Sequence, residues 1–268
     1  MINHGKKNIL GVLVDAVDYE SAVDRIIKAA ISNNSFSTSA LAVHGVMTGV
    51  HDSVHRYRLN TFDLLLPDGQ PIRWALDILH KANLPDRVYG PTLMLKICER
   101  AAKENLSIYF YGSRQEVIDA LASELRRKVS GLTIAGKQPS TYSKISPNEK
   151  LEVINMIKES GAAITFVGLG CPRQEVWVYE YRDYLSMPLI AVGAAFDFHA
   201  GFLSQAPPFL QNIGLEWFYR LLQEPKRLWK RYVFLNPEYL FLIFLQMINL
   251  KHFDPMSGIA PTQELGYG

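Results

Sequence analysis

Residues 164–177, ITFVGLGCPRQEVW, decide how this chain folds. An apolar run ends in Gly168 and Gly170, breaks at Pro172, and restarts near Arg173 with mixed polar and apolar residues. The pattern predicts a strand that enters a helix through a glycine turn. Such a turn presents backbone N–H groups and the positive end of a helix dipole, which together favour an anionic ligand. A plain strand-to-helix turn without a ligand is the alternative.

Other apolar runs repeat this arrangement and alternate with segments of helical pattern. Alternation of this kind predicts an α/β fold, Rossmann-like, with a mostly parallel sheet and helices on both faces. No Pro/Ser-rich linker interrupts residues 1–204, so we expect one α/β catalytic domain there, in one or two lobes. The expected strands lie within residues 8–17, 37–47, 62–66, 107–112, 131–139, 164–168 and 188–193.

Polar residues follow two of these runs, at the edge where open α/β sheets bind ligands. His44 and Gly45 end one run, and Asp68 and Gly69 follow another. The alternatives are a structural histidine for His44 and a simple turn or helix cap for Asp68.

Composition excludes several classes of protein. The chain has 268 residues and a formal charge of +2, which is too small to indicate nucleic-acid binding by itself. Its two cysteines, Cys98 and Cys171, lack the spacing of a disulfide framework or a zinc site. The N-terminus has no run of signal-peptide type, so we expect a cytoplasmic protein.

Residues 205–268, the C-terminal appendage, mix aromatic and basic side chains and are expected to be helical. Arg220, Arg227 and Arg231 would share one face of a continuous helix, unless Pro225 starts a second helix. The apolar run 239–250 is shorter than the roughly 20 residues that span a bilayer. The appendage is therefore predicted either to lie on an anionic membrane surface or to pack as solvated helices on the domain.

Six motifs in order, from about residue 10 to about residue 233, resemble the WecG/TagA/CpsF glycosyltransferases, glycosyltransferase family 26. They are LLLPDGQPIRWA at 64–75, DRVYGPTL at 86–93, IYFYGS at 108–113, VGLGCPRQEVW at 167–177, VGAAFDFHAG at 192–201 followed by QAP, and GLEWFYRLLQEPKRLWKRY at 214–232.

The resemblance implies an inverting, metal-independent enzyme that needs no cofactor. It would move a sugar from a UDP-sugar onto a polyprenyl-diphosphate-linked saccharide at the cytoplasmic face of the membrane. The products would be bacterial surface polymers such as exopolysaccharide. A homo-oligomer is left open.

The resemblance also assigns roles to individual residues. Asp68 matches the family's general base, and Arg87 matches an arginine that meets the diphosphate. Gln174 would contact the donor beside Gly168 and Gly170, and Asp197 would lie near the nucleoside. The appendage arginines Arg220, Arg227 and Arg231 would close over the site and hold the lipid diphosphate.

His44 departs from the family pattern, because many members carry an asparagine within a residue or so of this position. A histidine nitrogen can bond a hydroxyl of the sugar or of the acceptor, so a hexose donor becomes an alternative to an N-acetylhexosamine.

Two other functions remain alternatives on the residues alone. A dinucleotide-dependent oxidoreductase is disfavoured because GLGCPRQ lacks the third glycine of the dinucleotide fingerprint. The second alternative is a noncatalytic, membrane-associated protein that binds nucleotide sugars. It would have the same residues for binding the donor but would not catalyse sugar transfer.

Overall fold

The computed structural model describes the backbone of residues 1–268 and every side chain except those of Asn212 and Arg231. Within the described chain, the central sheet has six parallel strands in the order β4-β3-β8-β7-β5-β6. The strands are β1 (Asn3–Ile9), β2 (Val12–Val17), β3 (Phe36–Leu41), β4 (Leu64–Pro67), β5 (Ile108–Gly112), β6 (Ile134–Gln138), β7 (Ile164–Gly168) and β8 (Pro188–Ala191).

Helices connect these strands and form the first part of the appendage. The helices of the α/β domain are α1 (Tyr19–Ile31), α2 (Val43–His51), α3 (Ser53–Asn60), α4 (Gln70–His80), α5 (Gly90–Lys103), α6 (Gln115–Lys128), α7 (Pro147–Glu159), α8 (Arg173–Tyr181) and α9 (Ala195–His199). The appendage contains α10 (Pro208–Asn212), α11 (Glu216–Gln223), α12 (Pro225–Lys230), a π-helical turn (Arg231–Leu235) and α13 (Asn236–Met247), followed by a 3-10 turn (Pro255–Ser257).

Two apolar layers cover the sheet, one on each face. In β5, Ile108 and Phe110 pack into one layer, whereas Tyr109 and Tyr111 pack into the other. Successive side chains of a strand point to opposite faces, so a strand buried on both faces is apolar throughout. The predicted Rossmann-like α/β architecture is confirmed.

The first predicted strand, residues 8–17, is wrong in its extent. Residues 3–17 form an antiparallel hairpin, β1 and β2, which is a separate two-stranded sheet. Leu10 and Gly11 both have positive φ, 53° and 86°, as a tight two-residue hairpin turn requires. The apolar run conceals this turn because Leu10 is itself fully buried.

The region after β3 also differs from the prediction. β3 ends at Leu41, so His44 lies in the first turn of α2 rather than at the end of the strand. The segment between β3 and β4 forms two helices rather than one, because the Asp52 carboxylate accepts the N–H groups of Val54 and His55 and thereby starts α3.

The appendage docks on the α/β domain. The hydroxyl of Tyr239 on α13 donates to the carbonyl of Pro71 on α4 over 3.0 Å. Pro225 does start a second helix, so α11 and α12 are separate. Among the described residues, no helix is both long and apolar enough to cross a membrane.

Candidate active site

The carboxyl ends of the strands open into two adjoining cavities of unequal size. We call them the smaller and the larger cavity. Five residues line both: Ala42, His44, Asp68, Tyr89 and Arg220. The two cavities therefore adjoin along these five residues, and Asp68 is the one carboxylate among them.

Asp68 follows β4 directly and is partly buried. One carboxylate oxygen accepts the backbone N–H of Gly90 over 2.7 Å, which fixes the side chain at the N-terminus of α5. Desolvation raises the pKa of Asp68 to about 6, although the charge of Arg87 and the Gly90 hydrogen bond act in the opposite direction. A carboxyl group with such a pKa is mostly ionised at neutral pH, yet it is more basic than an ordinary aspartate.

Arg87 lies beside Asp68 and is held by the appendage. Its guanidinium donates to the Glu216 carboxylate of α11 over 2.5 Å and to the Gln211 side chain over 3.0 Å. It also lies over the ring of Tyr89, 4.2 Å from the ring centre. Arg87 and Glu216 are both buried, so this ion pair joins the appendage to the wall of the smaller cavity.

The glycine turn after β7 lies beside the larger cavity. A Cβ on Gly168 would come within 2.6 Å of the Phe196 ring, so Gly168 permits close packing of β7 against α9. Gly170 has a φ of +77° and lines the larger cavity. Its N–H donates to the Gln174 side chain over 3.1 Å, so in this structure the amide is engaged within the turn.

A second hydrogen bond fixes the orientation of the Gln174 side chain. Its Nε2 donates to the carboxylate of buried Glu175 over 2.8 Å, and the hydroxyl of Ser39 on β3 donates to the same oxygen over 2.9 Å. Burial raises the pKa of Glu175. Gln174 thus braces the turn while it lines the larger cavity.

Arginines from the appendage reach the cavities. Arg220 on α11 lines both of them and lies 5.5 Å over the Phe198 ring, and Arg227 on α12 lines the larger one. Glu224 pairs with Arg220 at 3.6 Å and with Arg227 at 2.5 Å. The side chain of Arg231, also predicted for the site, lies outside the described residues. These two arginines of the appendage place cations at the larger cavity, and arginine suits a diphosphate.

Not every predicted site residue lies at a cavity. Of the described ones, Gly168 and Asp197 are outside both linings. Asp197 is partly buried on α9, and desolvation raises its pKa while Arg114 and Arg227 oppose the shift. Its predicted place near a nucleoside stays a prediction.

Several residues that line the cavities were not predicted from the sequence, and four of them contribute polar or charged groups. Glu216 lines the smaller cavity, Tyr89 lines both cavities, and Tyr142 and Arg173 line the larger one. Glu216 and Tyr89 lay inside the GLEW and DRVYGPTL motifs, which could have drawn attention to them. Tyr142 lies in a polar loop and carried no comparable signal.

No group of three or more His, Cys, Asp or Glu side chains suited to a metal ion occurs among the described residues. The predicted independence from metals and cofactors stays a prediction.

Comparisons with known proteins identify the family of this chain. The family model described as "Glycosyl transferase WecG/TagA/CpsF family" matches residues 7–253. An N-acetylglucosaminyldiphosphoundecaprenol N-acetyl-beta-D-mannosaminyltransferase of Bacillus spizizenii (strain ATCC 23059 / NRRL B-14472 / W23) is 32% identical over 174 residues, which cover 65% of this chain and 65% of that protein. A protein of the same name from Bacillus subtilis (strain 168) is 29% identical over 208 residues, 77% of this chain and 78% of the relative. The match to the first relative thus spans slightly less than two thirds of its length.

Proposed function

We propose, because the chain belongs to the WecG/TagA/CpsF glycosyltransferase family, that it transfers a sugar from a UDP-sugar to a polyprenyl-diphosphate-linked saccharide with inversion. The observation that carries the proposal is the place of Asp68, which lines both cavities. A base between a donor site and an acceptor site can act on the atoms of both substrates.

Asp68 acts as the general base. Its carboxylate takes the proton of the acceptor hydroxyl. The acceptor oxygen then attacks the anomeric carbon of the donor from the side opposite the leaving group. The new C–O bond forms as the bond from the anomeric carbon to the diphosphate oxygen breaks, so the electron pair departs with UDP. Because the acceptor oxygen attacks the face opposite the leaving group in a single displacement, the anomeric carbon of the product has the inverted configuration.

The larger cavity holds the donor. The resemblance assigns Arg220 and Arg227 to the lipid diphosphate, but both line this cavity. We therefore give them the donor diphosphate, on which they stabilise the developing charge, an electrostatic role that a metal ion fills in many transferases. We expect activity to survive an excess of EDTA. Loss of activity in EDTA, restored by a divalent cation, would contradict this part of the proposal.

The smaller cavity holds the acceptor. Its lining combines polar groups at Asp68 and Arg87 with the ring of Trp217 on α11. The resemblance assigns Arg87 to the diphosphate of the leaving group, but Arg87 lines this cavity and not the larger one, so we propose that it meets the acceptor. The relatives' printed names describe transfer to N-acetylglucosaminyldiphosphoundecaprenol, a lipid-linked saccharide of this class. An acceptor of the same chemistry would place its sugar at Asp68 and its lipid along the appendage, in bacterial cell-envelope polysaccharide synthesis.

The appendage binds the cytoplasmic face of the membrane peripherally. Large apolar side chains that are more than half exposed are found on α10, α11, α13 and the π-helical turn, among them Phe209, Leu222, Phe234, Leu240 and Phe241. Lys226 and Lys230 on α12 are exposed as well. Apolar side chains beside cations bind anionic lipid surfaces by burial and by charge together.

The test is transfer by the Asp68→Asn variant, with a synthetic polyprenyl-diphosphate saccharide as acceptor. Loss of a general base costs about 10²- to 10⁴-fold in rate, whereas UDP affinity should stay within a few-fold. Asp24→Asn is the matched control, because Asp24 pairs with Lys28 on α1 and lines neither cavity. Wild-type turnover by Asp68→Asn would remove Asp68 as the base.

The donor sugar is decided by a panel. The relatives' names give N-acetylmannosamine as the transferred sugar, whereas His44 leaves a hexose open. We propose to offer UDP-N-acetylmannosamine, UDP-N-acetylglucosamine and UDP-glucose to the same acceptor. UDP binding without product from any of them would favour the noncatalytic binder instead.

A further inference from the structure

Residues 263–267 return from the appendage to the α/β domain and pair with the loop that follows β6. The N–H of Ile145 donates to the carbonyl of Gly266 over 2.9 Å, and Lys144 and Tyr267 form an antiparallel bridge. These residues lie beyond the match to the family model, which ends at residue 253. We call residues 263–267 the clasp.

Buried side chains of α7 and α8 anchor the clasp. The Glu180 carboxylate on α8 accepts the N–H groups of Leu265 and Gly266 over 2.7 and 3.1 Å. Lys150 on α7 donates to the Glu264 carboxylate over 2.7 Å and to the carbonyl of Glu180 over 3.0 Å. Lys150 and Glu180 are each 6% exposed, so the clasp is tied to the interior of the domain rather than to the loop alone.

The loop that the clasp holds forms part of the larger cavity. Tyr142 lines that cavity with a φ of +54°, a conformation that residues other than glycine adopt uncommonly. Its N–H donates to the Ser140 hydroxyl over 2.8 Å, and Arg173 donates to its carbonyl over 3.3 Å. An uncommon backbone conformation persists where its surroundings enforce it.

Arg173 connects the clasp to the same cavity by a second route. Its guanidinium lies 5.5 Å from the centre of the Tyr267 ring, and the residue lines the larger cavity. The clasp therefore supports two cavity residues, Tyr142 through the loop and Arg173 through ring contact.

The sheet order indicates which end of the donor this region faces. Asp68 follows β4 at one edge of the sheet, whereas the Tyr142 loop follows β6 at the other. The larger cavity is lined from Asp68 to Tyr142, with Arg220 and Arg227 also at its wall. A donor with its sugar at Asp68 and its diphosphate at these arginines directs its nucleoside toward Tyr142.

We propose that the clasp is a positioning element for the donor, which sets the affinity for the nucleoside diphosphate by holding Tyr142 and Arg173 at the cavity wall. The inference rests on the proposed function, because it takes the donor to be a UDP-sugar. The clasp does not touch the reacting atoms, so it should act on donor binding and leave the chemical step unchanged.

The experiment compares full-length Tyr267→Ala with its matched control Tyr267→Phe, which keeps the ring beneath Arg173. A cation–π contact contributes about two- to fivefold in an equilibrium constant, so the alanine variant should raise the Kd for UDP and the donor KM by that factor. The phenylalanine variant should match the wild type. Donor-saturated kcat and co-sedimentation with anionic vesicles should stay within about twofold for both.

Leu265→Pro is the second variant, because it removes one N–H from the Glu180 carboxylate. A hydrogen bond to a charged group supports an expected rise of roughly tenfold in the Kd for UDP. An unchanged Kd for UDP in both variants would overturn the positioning role. So would a rise in Kd that is accompanied by a fall in kcat and in vesicle binding. A wild-type protein that fails to bind UDP would overturn the proposed function itself, whereas wild-type binding without a variant effect would overturn only the clasp.

Discussion

The rate of transfer should fall with acidity below about pH 6, because the proposed base must be ionised. With a pKa of about 6 for Asp68, the ionised fraction is roughly 0.99 at pH 8 and roughly 0.09 at pH 5, so kcat/KM should drop about elevenfold. An aspartate with the ordinary value of 3.8 would remain about 94% ionised at pH 5 and would lose almost nothing.

The assay is UDP release measured from pH 5 to pH 9, with the acceptor held below its KM. Asp24→Asn should keep the acid limb, whereas the residual rate of Asp68→Asn should lack it. A wild-type profile that stays level down to pH 5 would refute the reasoning, either because Asp68 is not the base or because burial does not raise its pKa.

Three further predictions use other parts of the structure. Glu216→Gln should move the acid limb to lower pH, because the negative charge of Glu216 raises the pKa of Asp68; an unmoved limb would contradict this coupling. Lys226→Glu combined with Lys230→Glu should weaken co-sedimentation with anionic vesicles more than with neutral ones. The expected loss of binding free energy is about 1 kcal/mol for each cation removed, and more because each charge is reversed. Equal binding to both kinds of vesicle would contradict binding of the appendage to an anionic membrane surface. Trp177→Ala should lower the free energy of unfolding in urea by about 3–5 kcal/mol, because the buried indole stacks on two tyrosines. A loss below about 1 kcal/mol would show that the stack contributes little to stability.

The sheet and its functional edge were predictable because their signals are local. An apolar run followed by Asp68-Gly69 or Gly168-x-Gly170 marks a strand end within a few residues. Parallel connections then bring such ends to one edge without further information. The structure accordingly brings Asp68, His44, Gly170 and Gln174 to the cavities.

Contacts between distant parts of the chain were not predictable from local pattern. Arg87 and Glu216 are separated by 129 residues, and neither stretch indicates that an acid of the appendage meets this arginine. The hairpin at Leu10 was missed for a different reason, since its turn is buried and therefore apolar. The clasp shows the first difficulty again, because a polar loop and a segment over 100 residues later each appear featureless alone.

The buried pair of Arg87 and Glu216 has a thermodynamic consequence. Since Glu216 belongs to the appendage and both residues shift the pKa of Asp68, docking of the appendage and proton binding at Asp68 are linked equilibria. Linkage is reciprocal, so whatever ligand or surface favours one docking geometry must change the proton affinity of this carboxyl group by the same free energy. The basicity of Asp68 is therefore a property of the whole chain rather than of one strand end.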